Sequence, residues 1–543
     1  MTHTLPTSVL NRIFSALRFV QARAVTLIDF PRHDGNPATR NRLPGVLALA
    51  ALLSLSGTAH AGSLYLSKLS GANENPPTTS TATGVGVLIL NDAENQATVT
   101  ATHDISIPVT GGHIHRAPIT GNGPVILGFP APSSPVGPLT WNIPATELDN
   151  LKNLGLYFNF HTAVNPGGAI RGQIFRALLA PAATNAAQVS LANALDVSAG
   201  YDADLNQILI QTNLAATAVQ TQTLNDLSAR TVYAPIRQEI EVMASLTDSV
   251  FAYADAVRES PGSETGHFSV FLRGGNEFGD RSASANQAGS TISRPFMMGG
   301  ADYRFSELTR GGLAVAYAKG EDEFDAGAGK TTTKLTTLHG FLSTKVGNSG
   351  LALDGAIGYG RGKVDSTRNI TSLARTATAS PSGSVWSAAL KVSKAFTLSN
   401  ESTLIPYAFI DGQEARLDGY SETGAGAAGL MVPGRTSWNS AIEGGATLLI
   451  PIKLQSATLT ARLLAGWHYQ LEDGAATIAT RLVGSPVAFP TRIEGPGKSA
   501  AHVEASLTAT MTNGMLATLG YRGLLGASGQ TTHAIEARIV FKM

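Results

Sequence analysis

The chain has no cysteine. That excludes disulfides, thiolate metal ligands and cysteine nucleophiles, and it suits a chain that crosses an oxidising compartment unfolded. Net charge is also lacking. The chain balances 39 Lys+Arg against 39 Asp+Glu, so no strong attraction to nucleic acid or acidic lipid is implied. Charged residues are only 14% and aromatics 6%, whereas glycine reaches 57. That balance fits an all-β protein with many turns better than a helical one. Beyond the N-terminal region, no stretch approaches the roughly 18 consecutive apolar residues of a membrane-spanning helix. If the mature chain sits in a membrane, it must be a barrel.

At 543 residues the chain should hold more than one domain. Residues 1–61 read as an extended export signal. Arg12, Arg18, Arg23, Arg32, Arg40 and Arg42 precede the apolar run from Val46 to Leu55. The small-x-small site Ala59-His60-Ala61 follows and puts the mature start near Gly62. The unusual length before the apolar run leaves the true start codon open.

The C-terminal half, 261–543, alternates apolar and polar residues in stretches of about ten, as a transmembrane strand requires. In the last stretch Ile535, Ala537, Ile539 and Phe541 share one face, and Glu536 and Arg538 the other. Strands are expected at 268–273, 296–305, 312–318, 335–346, 351–360, 385–395, 403–414, 438–450, 458–471, 502–511, 516–523 and 534–541. In the ninth, Leu459, Ala461, Leu463, Ala465, Trp467 and Tyr469 form an apolar row ending in aromatics, like a girdle at a bilayer edge. Glu443, Arg462, Glu504, Glu536 and Arg538 then line the lumen. Between the halves, 181–260 is almost free of glycine and turns helical. Ile236, Ile240, Met243, Thr247, Val250, Ala254 and Val257 fall on one stripe. A helix over 236–258 would be about 35 Å long, enough to thread an outer-membrane barrel.

Residues 62–180 are rich in Gly, Pro, Thr and Asn, with short alternating runs that read as a small β-sandwich. On a strand, His113 and His115 of Gly112-His113-Ile114-His115 point to one face. With His161 of Phe160-His161-Thr162 as a third nitrogen, and His103 as a conceivable fourth, they could chelate copper or zinc. The alternative is that these histidines hydrogen-bond turn backbone. Glu74, between Asn73 and Asn75, could offer oxygen to calcium or simply sit in a polar turn before Pro76-Pro77. No Gly-x-Ser-x-Gly elbow appears.

Signal, N-terminal domain, helix and C-terminal barrel together resemble an autotransporter of the type V secretion pathway. The resemblance is carried by Leu404-Ile405-Pro406-Tyr407-Ala408, Tyr420-Ser421-Glu422-Thr423-Gly424-Ala425 and the closing aromatic strand. It implies a twelve-stranded antiparallel barrel in the outer membrane of a Gram-negative bacterium, with the helix in its pore and the passenger at the cell surface. It also implies two partners, outer-membrane lipid and the barrel assembly machinery. The latter would read Phe541 as its signal, although Lys542 and Met543 follow where the family usually ends on the aromatic.

Leu69-Ser70-Gly71-Ala72-Asn73-Glu74-Asn75-Pro76-Pro77, Gly112-His113-Ile114-His115, Asn122-Gly123-Pro124-Val125 and Tyr157-Phe158-Asn159-Phe160-His161-Thr162 with Pro166-Gly167-Gly168-Ala169-Ile170-Arg171-Gly172-Gln173-Ile174, in that order, resemble a CHRD domain. The same domain is similar to a shortened copper-zinc superoxide dismutase, a Greek-key-like sandwich. That resemblance implies copper ligands at His113, His115 and His161 and an anion guide at Arg171. The bridging histidine, the zinc loop and the disulfide of that family are missing. No complete catalytic set is visible, so the expectation is a displayed domain that binds an unidentified surface ligand, with no nucleic-acid partner. A copper or zinc protein with dismutase-like chemistry is the alternative. Whether the passenger is cut and released stays open.

Overall fold

The computed structural model describes residues 62–259, 268–398, 401–454, 457–495, 497–526 and 529–543. The export-signal reading of 1–61 lies outside the described residues.

The N-terminal domain is built from β1 (Ser63–Ser70), β2 (Thr83–Leu90), β3 (Gln96–His103), β4 (Val109–Arg116), β5 (Val125–Gly128), β6 (Val136–Asn142), β7 (Leu156–Thr162), β8 (Ile170–Gln173) and β9 (Phe175–Arg176), with α1 (Ala145–Lys152) between β6 and β7. They pair in the order β5-β4-β7-β8-β1-β2-β3-β6, with β9 on β1. The β8–β1 junction is one residue pair, Ser70 with Arg171. The sheet therefore folds there into two four-stranded halves that face each other, a sandwich as expected. Leu88, Val99, Phe158 and Phe160 fill the space between. The halves are so close that a Cβ at Gly86 would lie 2.6 Å from the Phe158 ring. Strand alternation sends Ile114, Phe158 and Phe160 inward and leaves His113, His115 and His161 on the outer face.

Three helices follow: α2 (Ala186–Leu195), α3 (Ala203–Leu214) and α4 (Thr217–Leu227). Asn185 and Asp202 cap the first two by accepting from the N–H groups of Gln188 and Leu205, which satisfies donors that a helix start leaves free.

The C-terminal half closes into a twelve-stranded antiparallel barrel. Its strands are Phe268–Arg281, Ser290–Arg304, Thr309–Phe324, Gly329–Lys345, Leu351–Ile370, Ser382–Lys394, Thr403–Leu417, Arg435–Lys453, Ala457–Asp473, Ser499–Met511, Leu516–Gly526 and Gln530–Lys542. Each expected strand is present, and several run further toward the long-loop end. There Thr331, Thr332 and Thr333 are all buried, so the apolar–polar alternation that marks a bilayer face fades. Alternation is clear lower down: Leu313, Val315 and Tyr317 face outward, while Ala314, Ala316 and Ala318 are buried. Pairing of the first and last strands closes the ring, from Ser269–Lys542 to Arg281–Gln530.

The final helix, α5 (Ala234–Glu259), runs through the lumen. Its apolar stripe, including Met243, Leu246 and Val250, packs on Ala316, Leu335, Ala356 and Val385 of one wall. Its polar side meets the charged lumen residues. Glu241 pairs with Arg281 and Arg294, and Asp255 with Lys391, Arg258 and Arg462. Arg462 also pairs with Glu504, Arg273 with Glu536, and Arg538 donates to the Ala252 carbonyl. A cavity of about 160 Å³ lies along this polar side, between Ile240, Glu241, Asp248 and Glu443, His502, Arg522.

The helix enters where the connections 282–289, 418–434 and 474–498 lie, with Tyr233 donating to Ala288 O at 3.0 Å. It leaves beside the short turns 305–308, 346–350 and 512–515, with Arg258 donating to Asp354 at 2.7 Å. At the long-loop end, Tyr420–Ser421, Leu430–Val432, Ala476–Leu482 and Ala488–Ile493 form a separate four-stranded sheet, which the sequence reading missed.

Candidate functional site

The outer face of β4 and β7 gathers the three histidines. Register sets His113 opposite Asn159, His115 opposite Tyr157 and Gly111 opposite His161. The glycine matters because a Cβ at Gly111 would stand 3.0 Å from His113 Cε1 and 3.8 Å from His161 Cδ2. Any larger residue would push between the imidazoles. The ring centres lie 5.5 Å (His113–His115), 5.2 Å (His113–His161) and 6.1 Å (His115–His161) apart. One ligand atom from each falls within 4.8 Å of the others, and this group of three contains no carboxylate.

The protonation pattern follows from the partners. His115 Nδ1 lies 2.9 Å from Gly123 O, and His161 Nδ1 lies 3.0 Å from Pro166 O. A carbonyl can only accept, so in each ring Nδ1 carries a hydrogen and Nε2 is the nitrogen left to take a ligand. His115 Nε2, His161 Nε2 and His113 Nδ1 are buried with no hydrogen-bond partner. Burial, and then the charge of neighbouring imidazoles, lowers the pKa of His113. Burial also lowers that of His115, against a smaller upward pull from the Gly123 carbonyl. The three rings thus bring one nitrogen each within 4.8 Å of the others, and burial favours in His113 and His115 the neutral form that a metal requires. Backbone carbonyls orient two of the rings, as outer-shell partners do in metal sites. An all-imidazole set suits copper or zinc better than calcium or magnesium.

The surroundings correct two expectations. His103 does not join the cluster. Its Nε2 donates to Pro132 O at 3.0 Å and its ring sits 4.8 Å from Phe160. Arg171 does not face incoming anions. It is 1% exposed and donates to Asn122 Oδ1 (2.8 Å), Pro118 O (3.2 Å) and Gly121 O (2.9 Å). Its guanidinium lies 3.6 Å from the centre of the Tyr157 ring, which in turn stacks on His115 at 4.9 Å and 9°. Arg171 thus pins the loop whose Gly123 carbonyl holds His115. Sequence reasoning missed Tyr157, Gly111 and the two carbonyls, because stacking and backbone acceptors leave no residue-type signature.

Glu74 is buried under the same face, beside Gly168, with Oε1 unpartnered. Burial pushes its carboxyl up to about 7, against the opposing pull of Arg171 and of a hydrogen bond from Asn159. It is not a member of the histidine group, and a carboxyl that holds its proton up to near neutral pH is a poor calcium ligand. Phe541, expected as an assembly signal, is half exposed on the outer face of the last strand, opposite Val270.

Comparison with known proteins finds matches for both halves of the chain. A family model described as the autotransporter beta-domain matches residues 270–522, and the CHRD domain model matches 65–174. Among solved structures, the translocator domain of autotransporter NalP from Neisseria meningitidis is similar at 14% identity, covering 58% of this chain and 100% of that one, with a TM-score of 0.47. The beta domain of the Bordetella autotransporter BrkA is similar at 17% identity, covering 51% and 100%, with a TM-score of 0.39. No curated protein matches the chain. The chain thus joins an autotransporter beta-domain, folded as a C-terminal twelve-stranded barrel of the outer-membrane type, to an N-terminal CHRD domain.

Proposed function

We propose that the barrel delivers the CHRD sandwich to the outer face of the outer membrane and holds it there to bind a surface ligand. The observation that carries this reading is the asymmetry of the barrel. The sandwich shares one end with the long connections 418–434 and 474–498, whereas among the described residues the connections at the other end are no longer than about eight residues. In outer-membrane barrels the long loops are extracellular. Because the chain has no cysteine, single thiols report topology cleanly. Asp92→Cys in an exposed sandwich turn should react with a membrane-impermeant maleimide on intact cells. Asn513→Cys in a short turn should react only after the outer membrane is permeabilised. The opposite pattern would reject display.

A second reading is favoured by the three convergent nitrogens. The sandwich holds one copper or zinc ion through His113, His115 and His161. With His103 elsewhere and Arg171 buried, the geometry supports capture or storage of the ion better than dismutation of an anion. Metal analysis of the purified full chain after loading should find about one equivalent, lost in the His113→Ala/His115→Ala variant. Equal metal in both would sink the reading.

A further inference from the structure

The segment joining the sandwich to the plug helix is not a loose tether. A single apolar core passes through three parts of the molecule: Leu66 of β1, Leu191 and Leu205 of α2 and α3, and Leu430, Leu482 and Phe489 of the loop sheet. Polar bonds tie both borders of this collar.

On the sandwich side, Gly62 N donates to Ala199 O at 2.8 Å and Lys68 Nζ to Leu214 O at 3.2 Å. On the barrel side, the Ser198 and Ser485 hydroxyls share a buried hydrogen bond of 2.8 Å. Arg375 grips both oxygens of Asp204, at 2.6 and 2.5 Å, and Ala427 N donates to the same carboxylate. Asp226 accepts from Thr371 Oγ1 and Ser372 N. Packing is close as well, since a Cβ at Gly484 would lie 3.2 Å from Leu205 Cβ. An interface with a continuous apolar core and satisfied polar edges is built like a stable one, whereas default domain linkers are exposed and polar.

We propose that the loop end of the barrel is a docking surface for this chain's own passenger, which it holds as a fixed cap through α2 and α3. Covalent continuity is then unnecessary, and a passenger cut from the barrel stays on it.

The test uses the full chain with a specific protease site inserted between Ala215 and Ala216, where the α3–α4 junction is exposed. It is done on detergent-solubilised protein, so membrane topology plays no part and a failure of the display reading is a separate result. After cutting, confirmed on a denaturing gel, the fragment carrying the sandwich, α2 and α3 should co-elute with the barrel in size exclusion. The same cut in a Leu205→Asp/Phe489→Asp chain should release it, while the barrel keeps its heat-modifiable mobility. Release from the parent chain overturns the proposal. Retention in the doubly substituted chain overturns the assignment of the hold to this core.

Discussion

The barrel lumen and the outer face of the sandwich both bury polar side chains, by opposite rules. In the lumen, opposite charges meet. Asp255 faces Lys391, Arg258 and Arg462, and Glu241 faces Arg281 and Arg294. On the sandwich, three like imidazoles meet with no carboxylate in the group and one buried, unpartnered nitrogen on each. Charge pairing accounts for the first arrangement as structure, because a buried ion needs a counter-ion. It does not account for the second. Three imidazoles facing one another gain nothing from proximity until a cation sits among them. The difference separates a region built to hold a helix from one built to hold something the chain does not supply.

The largest expected effect tests the lumen side. Asp255→Leu leaves Lys391, Arg258 and Arg462 without a shared counter-charge and should destabilise the barrel by about 3–5 kcal/mol, read by urea unfolding in lipid vesicles. A loss below about 1 kcal/mol, the range of an exposed pair, would show that water in the lumen substitutes for the carboxylate.

Next comes Glu74. Burial raises its carboxyl to about 7 from the ordinary glutamate value of 4.5, so the folded sandwich keeps a proton that the unfolded chain releases. Stability is therefore full in acid and declines as pH rises through that window, by about 2 kcal/mol once screening by nearby solvent is allowed for. Glu74→Gln should flatten the profile of sandwich melting against pH; an unchanged slope would assign it to another group.

A smaller effect is expected from Gly111→Val, whose side chain enters between His113 and His161. Affinity for copper or zinc should fall roughly tenfold or more in a chelator competition, with the circular dichroism spectrum unchanged. Undiminished affinity would show that the imidazoles close on the ion from another side.

The smallest concerns Phe541. Removing Lys542 and Met543 makes this residue terminal, at the loss of the Met543–Phe268 backbone pairing. The yield of folded barrel should hold or rise slightly. A fall would rank that pairing above the terminal aromatic.

The two regions also differ in how much the sequence disclosed. Barrel strands are legible because lipid imposes a strict period of two on residues such as Leu313, Val315 and Tyr317. The helix is legible because Ile236, Met243 and Val250 keep a helical period against one wall. Above the bilayer nothing imposes such a rule, so the strand ends around Thr331–Thr333 and the loop sheet went unseen. In the sandwich, the His-x-His spacing announced a shared face, and His161 joined it through strand pairing. The fate of Arg171 depended on loop 117–124 folding over it, and residue type alone carries no sign of that.

The ring closes between Phe268–Arg281 and Gln530–Lys542, and this sets an order of events. The first barrel strand finds its second neighbour only when the last residues of the chain have been made. Until then the barrel is an open sheet with two bare edges, each a template for wrong pairing. Everything upstream, sandwich and helices included, must already have been synthesised by that moment. Closure of the ring thus waits on Gln530–Lys542, and without that strand Phe268–Arg281 is left one neighbour short.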